Sequence, residues 1–302
     1  MKTNQALRTF TSEEEEATFQ DDFISEEGPT HSGRTYHNVD SSAYWMPRDE
    51  EEQLRLTGVS RIMSQNFLPQ VEDYISFEKG VDCLDIGCGP GTFLMDMAQD
   101  YPKSNFVGID IAAMVNINFK LPNVSFALGN VLEGLHFPDN SFEYIQLRVF
   151  VNALRKDEWP VALKEIHRLL KPGGCVGFFE YEPRETGSED CKKVFRAVVK
   201  LMEYHHQEPL AGHKLKEWVV EAGMEHVVTV ENAIDCGPDT GSAKRWRWIW
   251  SQSCTSMGPY LSPLLDVKFE DWPQFLNNHM NDMVRSHGHI TIVRSVARKP
   301  LN

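Results

Sequence analysis

Beyond residue 80 the apolar residues follow two alternating patterns. Short apolar runs alternate with segments in which apolar residues recur every three or four positions, which predicts strands joined by helices. Strands are predicted at 81–86, 105–109, 124–128, 142–147, 175–180, 226–230 and 289–296. Helices are predicted at 92–99, 158–170, 188–207, 213–222, 244–250 and 272–286. This order indicates an α/β fold with a doubly wound, mostly parallel seven-stranded sheet and a helical insertion before the last strand.

The N-terminal part has a different composition. Residues 1–30 are rich in Glu and Asp and poor in apolar residues, so we expect a disordered acidic leader that is either merely solvated or an interaction tail. A helix over 49–74 is predicted by an apolar stripe and by acids in its first turn. Together with the segment before it, this helix is expected to form an N-terminal lid over one folded domain at 31–302.

Charge and cysteine content exclude several classes of protein. The formal net charge of −14 disfavours broad binding to nucleic acid, because a negative field repels phosphates. No apolar run is long enough to span a bilayer, and the first ten residues lack a signal core, so we expect a cytoplasmic protein and leave a nuclear location open. The six cysteines and the histidines lack zinc-ligand spacing, so no metal is expected.

The strongest motif is the run LDIGCGPGT at 84–92, where a buried strand enters a glycine-rich loop. Glycine permits a sharp turn and a close approach of ligand to backbone. A dinucleotide site requires G-x-G-x-x-G, but Thr92 stands where its third glycine belongs and Pro90 lacks a backbone donor. An acid at Asp85 would also repel phosphate, so the loop predicts a ligand other than a pyrophosphate.

Two further positions indicate an adenosine ligand. Asp110 ends the second strand, where an acid of a Rossmann-type sheet accepts hydrogen bonds from ribose hydroxyls. Asn130 follows the third strand and is expected to meet the adenine amino group, with the backbone N–H of Val131 at a ring nitrogen. Each position alone is a common strand-end or turn residue, but their order and spacing together predict an adenosine site.

These motifs resemble those of the class I S-adenosylmethionine-dependent methyltransferases over about residues 81–182. The resemblance implies a Rossmann-like fold, S-adenosyl-L-methionine as cofactor, and a division into lid (33–78), cofactor-binding core (81–182) and substrate-side helices and strands (183–302). It places the methionine part against Asp85 and the glycine loop, the ribose at Asp110 and the adenine at Asn130 and Val131. The predicted cofactor residues are Asp85, Gly87, Cys88, Gly89, Gly91, Asp110, Ile111, Asn130, Val131 and Arg148.

The stretch GRTYH at 33–37 and the acidic run that begins at Asp49 look like those of fungal LaeA-like methyltransferases of secondary metabolism. The Gln-His pair usual in that group is absent here, since Gly58, Val59 and Ser60 occupy its place. The substrate side is predicted to include Tyr36, Tyr44, Trp45 and Tyr181. Methyl transfer needs a base only when the acceptor must lose a proton, and His37 and Arg148 are the candidate catalytic residues, each with a structural role as its alternative.

Two functions remain open at this point. The first is an enzyme that methylates a small molecule, and the second is a cofactor-binding regulator that acts through protein partners and the acidic N-terminus. Methylation of an exocyclic base amine is disfavoured, because LRVF at 147–150 replaces the Asn/Asp-Pro-Pro-aromatic motif of such enzymes. The Trp residues at 246, 248 and 250 are expected to pack in the core or to roof the cofactor cleft, with an aromatic substrate pocket as the alternative.

Overall fold

The computed structural model describes residues 30–31, 33–36, 43–71, 73–112 and 121–301. The predicted leader and His37 lie outside the described residues, apart from Thr30. Two short strands, β1 (Thr30–His31) and β2 (Arg34–Thr35), pair antiparallel before the long helix α1 (Glu50–Val71). The helix begins after Asp49, whose carboxylate accepts the backbone N–H of Glu52 (3.0 Å) as a capping residue does.

The central sheet contains seven of the described strands. They are β3 (Asp82–Ile86), β4 (Asn105–Asp110), β5 (Val124–Leu128), β6 (Phe142–Arg148), β7 (Leu170–Glu182), β8 (Glu225–Asp235) and β9 (His289–Arg298). Their order across the sheet is β5-β4-β3-β6-β7-β9-β8, and β9 runs antiparallel to both of its neighbours. The prediction of a seven-stranded, mostly parallel sheet is therefore confirmed.

Helices cover both faces of this sheet. They are α2 (Thr92–Asp100), α3 (Trp159–Leu169), α4 (Glu189–Tyr204), α5 (Ala211–Glu221), α6 (Gly241–Leu264) and α7 (Trp272–Arg285). On one face α5 packs against α3 and β9, whereas on the other α6 packs against α1, α4 and α7. The insertion predicted before the last strand is confirmed as α6 and α7.

Several element boundaries differ from the predictions. Helix α6 is far longer than 244–250 because it continues through Pro259 and Pro263, residues that normally end a helix. Strand β7 begins at Leu170, because the Lys-Pro-Gly-Gly run that ends α3 continues as extended chain. Strand β8 is longer than the predicted 226–230 and extends to Asp235, which pairs with His289 of β9. The type and order of the predicted elements are unaffected.

Candidate functional site

A cavity of about 230 Å³ opens beyond the carboxyl ends of the parallel strands. Its wall includes Gly87 after β3, Asp110 at the end of β4, Arg148 at the end of β6 and Tyr181 near the end of β7. Doubly wound α/β sheets bind their ligands at this edge. Residues of the N-terminal segment, α1 and α6 complete the wall, so the cavity lies between the sheet edge and these helices.

The glycine loop is held in a conformation that favours glycine. Gly87, Gly89 and Gly91 have φ values of 68°, 53° and 72°, in the left-handed region that side chains disfavour. A Cβ at Gly87 would lie 2.5 Å from the Phe150 ring, whereas a Cβ at Gly89 would meet no atom within 4 Å. The loop backbone therefore packs against protein at Gly87 and is open to a ligand at Gly89.

Asp110 connects β4 to this loop. Its carboxylate oxygens accept the backbone N–H groups of Gly89 (2.8 Å) and Ala112 (3.0 Å), and burial raises the pKa of the carboxyl. Each oxygen retains acceptor capacity beyond these bonds, and Asp110 and Ile111 both border the cavity. The thiol of Cys88 is buried, which raises its pKa, so Cys88 is not poised as a thiolate.

Asn130 and Val131 border the same cavity. The Asn130 side chain is held at both ends: its oxygen accepts the backbone N–H of Leu132 (3.0 Å), and its amide donates to Glu133 (3.0 Å). This Asx-type turn fixes the direction of the backbone after β5. The side-chain oxygen can still accept a second hydrogen bond, so the turn is compatible with the predicted adenine contact.

Asp85 lies beneath the cavity and forms an ion pair with Arg148. The side chain of Asp85 is fully buried, and its Oδ2 is 3.4 Å from Nη2 of Arg148. Burial raises the pKa of Asp85, and the guanidinium opposes this effect. Arg148 also donates to Ser60 (3.1 Å) and lies over the Phe93 ring. The charge of Arg148 is thus matched by an acid, which is the structural role that the sequence analysis gave as the alternative to a catalytic one.

The four predicted substrate-side residues divide into two pairs. Tyr44 and Tyr181 border the cavity. Tyr181 presents its ring, since its hydroxyl is buried and has no hydrogen-bond partner among the described residues. Burial raises the pKa of both phenols, which keeps them protonated. The candidate base His37 lies outside the described residues.

Tyr36 and Trp45 are packing residues, and neither is among the residues that line the cavity. The indole N–H of Trp45 donates to Gln207 (3.0 Å), and its ring stacks on His205. Tyr36 is buried edge-on against Tyr260. Both aromatic rings anchor the N-terminal segment to the folded domain instead of facing a substrate.

Sequence reasoning understated the contribution of α6. Trp246, Ile249, Trp250 and Met257 all border the cavity, whereas Trp248 is 40% exposed. Their positions i, i+3, i+4 and i+11 place these side chains on one helical face. The sequence shows this periodicity, but the predicted helix ended at residue 250 and so left out Met257.

The lining differs in polarity from one end to the other. The α6 end is mostly apolar but includes Ser253, to which the lining residue Arg55 donates (3.4 Å). The glycine-loop end carries Asp110, which is the sole carboxylate among the described lining residues. No histidine lies in that described lining. The described part of the chain thus offers a general base only at the glycine-loop end of the cavity, at Asp110.

Comparison with known proteins finds a matching family model and similar relatives. Residues 83–174 match the family model described as a methyltransferase domain. The secondary metabolism regulator laeA of Coprinopsis cinerea is 27% identical over 156 residues, covering 50% of this chain and 38% of that relative. The chain therefore matches well under half of that relative's length.

Two solved structures share the fold. The phosphoethanolamine N-methyltransferase 2 of Haemonchus contortus, in complex with S-adenosyl-L-methionine, has a TM-score of 0.51 and 19% identity, covering 78% of this chain and 52% of that one. The [4+2]-cyclase SpnF has a TM-score of 0.51 and 20% identity, and the match covers 95% of this chain and 93% of the cyclase. At these identities the structures support the fold alone.

Residues 83–174 therefore match a methyltransferase domain and the chain is similar to LaeA, and these similarities support S-adenosylmethionine as the cofactor. The site fits this cofactor, because the backbone is open at Gly89 and acceptor oxygens stand at Asp110 and Asn130 along one wall. Within the described ranges, no helix is long and apolar enough to cross a membrane. The domain limits and the roles of individual residues stay predictions.

Proposed function

We propose that this chain transfers a methyl group from S-adenosylmethionine to a small, largely apolar acceptor. The observation that supports this is the continuity of the cavity, which extends from Gly89 and Asp110 to Trp246 and Trp250. A cofactor and an acceptor bound in one space can be brought into the alignment that methyl transfer needs. The mostly apolar lining suits a small molecule that lacks extended charge.

The polar wall holds the cofactor in this proposal. Asp110 accepts the ribose hydroxyls, Asn130 and the N–H of Val131 contact the adenine, and the glycine loop contacts the methionine part. When bound, S-adenosylmethionine supplies an activated methyl group on a positively charged sulfur. Asp85 lies below the loop and adds negative charge, which is partly offset by Arg148.

The apolar wall excludes water and positions the acceptor. Trp246, Ile249 and Trp250 are each at most 7% exposed, so this end of the cavity provides a dry environment in which a displacement reaction is not slowed by a hydration shell. The described lining here holds no imidazole or carboxylate. We therefore expect an acceptor atom that attacks without giving a proton to these residues, unless His37 takes that proton.

A regulatory role is the alternative, and it is suggested by the similarity to the secondary metabolism regulator laeA. The acidic N-terminus that would contact partners lies outside the described residues. The cavity argues for catalysis, since a regulator that only binds the cofactor needs no apolar chamber beside it.

Methyl transfer is tested by incubating the protein with S-adenosylmethionine carrying a labelled methyl group and with a fungal extract. The products are separated into low-mass and macromolecular fractions. We expect label in the low-mass fraction, and its loss in Ile249→Trp, which fills the apolar end while leaving the polar wall intact. Val161→Trp, at an exposed position of α3, is the control. Label confined to macromolecules would contradict a small-molecule acceptor.

A further inference from the structure

The segment before helix α1 forms part of the wall of the cavity that we assign to the cofactor and the acceptor. Tyr44, Met46 and Arg48 border this cavity. Trp45 and Asp49, at the alternate positions, are not among the residues that line it and bond to other parts of the chain. From residue 44 onward, every second side chain of the segment therefore belongs to the cavity wall, and the last of these is a cation.

The protein fixes the position of Arg48 on both sides. Its backbone N–H donates to the carbonyl of Thr35 in β2 (2.8 Å). The next residue, Asp49, accepts two hydrogen bonds from Arg34 (2.6 and 2.8 Å). Arg48 itself is half-buried. Its place at the cavity is therefore set before a ligand arrives, which lowers the entropy cost of binding.

The other charged residues of the cavity wall have partners within the protein. Arg55 pairs with the fully buried Glu52 (2.5 Å), and Arg148 pairs with the fully buried Asp85 (3.4 Å). Asp110 accepts two backbone N–H groups. Each of the two guanidinium groups thus has an acid of its own behind the wall.

Arg48 differs from them in this respect. Within the described ranges its guanidinium forms no ion pair and no side-chain hydrogen bond. The acids that follow it in the chain are engaged: Asp49 and Glu51 face Arg34 (2.6 and 3.8 Å), and Glu52 belongs to the buried pair described above. The positive charge of Arg48 is therefore available to a ligand of the cavity.

The cofactor does not supply the missing negative charge. S-adenosylmethionine is a net cation, because its sulfonium adds to an amino acid part that is neutral overall. The bound cofactor and Arg48 together exceed the single carboxylate of Asp110. An unpaired charge beside an apolar wall is costly, and a guanidinium binds a carboxylate through two parallel hydrogen bonds. An anionic group in the cavity would restore the balance of charge.

We propose that Arg48 binds an anionic group of the methyl acceptor, such as a carboxylate, and so selects acceptors that carry one. The inference rests on the proposed function, in which the glycine loop takes the methionine part of the cofactor and leaves Arg48 for the acceptor. The apolar body of the acceptor lies against the α6 side of the cavity. Arg48 is thus a specificity-determining residue.

A pair of matched probes tests this selectivity without knowledge of the natural acceptor. 2-Naphthoate and 2-naphthamide have nearly the same shape, but only the first is an anion. Both are titrated calorimetrically into the wild type, Arg48→Gln and Arg48→Lys, in the presence of saturating S-adenosylhomocysteine to fill the cofactor end. Arg61→Gln removes the same charge from an exposed position of α1 that does not line the cavity and is the matched control.

We expect the wild type to prefer naphthoate, and Arg48→Gln to weaken naphthoate binding by about tenfold or more, the usual effect of losing a hydrogen bond to a charged group. Naphthamide binding should stay within about twofold. Arg48→Lys should retain most of the naphthoate affinity, and Arg61→Gln should resemble the wild type. A wild type without preference for naphthoate would overturn the proposal. So would equal naphthoate affinity in Arg48→Gln, or an equal loss for both probes.

Titration of the same variants with S-adenosylmethionine separates the acceptor from the cofactor. Arg48→Gln should bind the cofactor as the wild type does. A loss of cofactor affinity of about tenfold would assign Arg48 to the carboxylate of the cofactor and overturn the proposal, while leaving the proposed function intact. Absence of cofactor binding in the wild type would refute the proposed function itself.

Discussion

Replacing Asp110 with alanine removes a carboxylate with two tasks. In the structure it accepts the N–H groups of Gly89 (2.8 Å) and Ala112 (3.0 Å), and in our proposal it also accepts the ribose hydroxyls of the cofactor. Hydrogen bonds to a charged group contribute about 1.5–3 kcal/mol. Loss of one such contribution should weaken S-adenosylmethionine binding about tenfold to a hundredfold. Release of the loop at Gly89 adds to this effect.

The assay is calorimetric titration of wild type and Asp110→Ala, with urea unfolding to show that the variant is folded. Asp235→Ala is a matched control, because Asp235 also ends a strand and accepts a backbone N–H, that of Gly237 (2.7 Å), yet it does not line the cavity. We expect normal affinity in that control. An unchanged affinity in folded Asp110→Ala would refute the ribose assignment.

Three further predictions concern groups around the site. Burial raises the pKa of Glu180 from its usual 4.5 to about 8. The free energy of unfolding should therefore fall as the pH rises through this range, because the buried carboxyl must ionise. Glu180→Gln should make the urea midpoint less dependent on pH over this range, and an unchanged dependence would count against this assignment. Arg55→Met removes the nearest ion-pair partner of the buried Glu52 (2.5 Å) and leaves it with Arg34 at 3.9 Å. The free energy of unfolding should therefore fall by up to about 3–5 kcal/mol in urea titrations, and a loss below about 1 kcal/mol would contradict a buried pair. Gly89→Ala should fold and bind the cofactor weakly, whereas Gly87→Ala should lower the melting temperature because its Cβ meets the Phe150 ring; the reverse ranking would show that the loop is misassigned.

The sequence was most informative where local chemistry decides the structure. The glycines at 87, 89 and 91 predicted the loop correctly, since their φ values leave few alternatives to glycine. The apolar runs of the central strands predicted the sheet, because strands buried on both faces read as continuous apolar segments. Order and type of elements follow from such local patterns.

Features that depend on tertiary contacts were less accessible. Trp45 was predicted on the substrate side, but it packs against Gln207 and His205, more than 150 positions away in the chain. The length of α6 was missed because Pro259 and Pro263 normally stop a helix.

The fold alone does not decide the reaction. A [4+2]-cyclase shares it over 95% of this chain, and a methyltransferase complex shares it over 78%. Function has to be argued from the site. Here the polar wall at Asp110 and the apolar wall at Trp246 support methyl transfer to a small molecule, and the acceptor is what the extract experiment would identify.

Binding of the cofactor is the most direct test of the central claim that this cavity takes S-adenosylmethionine. Purified protein is titrated calorimetrically with S-adenosylmethionine and, in parallel, with NAD, whose pyrophosphate the loop of Gly87 to Gly91 does not suit. We predict saturable one-to-one binding of S-adenosylmethionine, competition by S-adenosylhomocysteine, and no binding of NAD. Binding of NAD in place of S-adenosylmethionine would contradict the account.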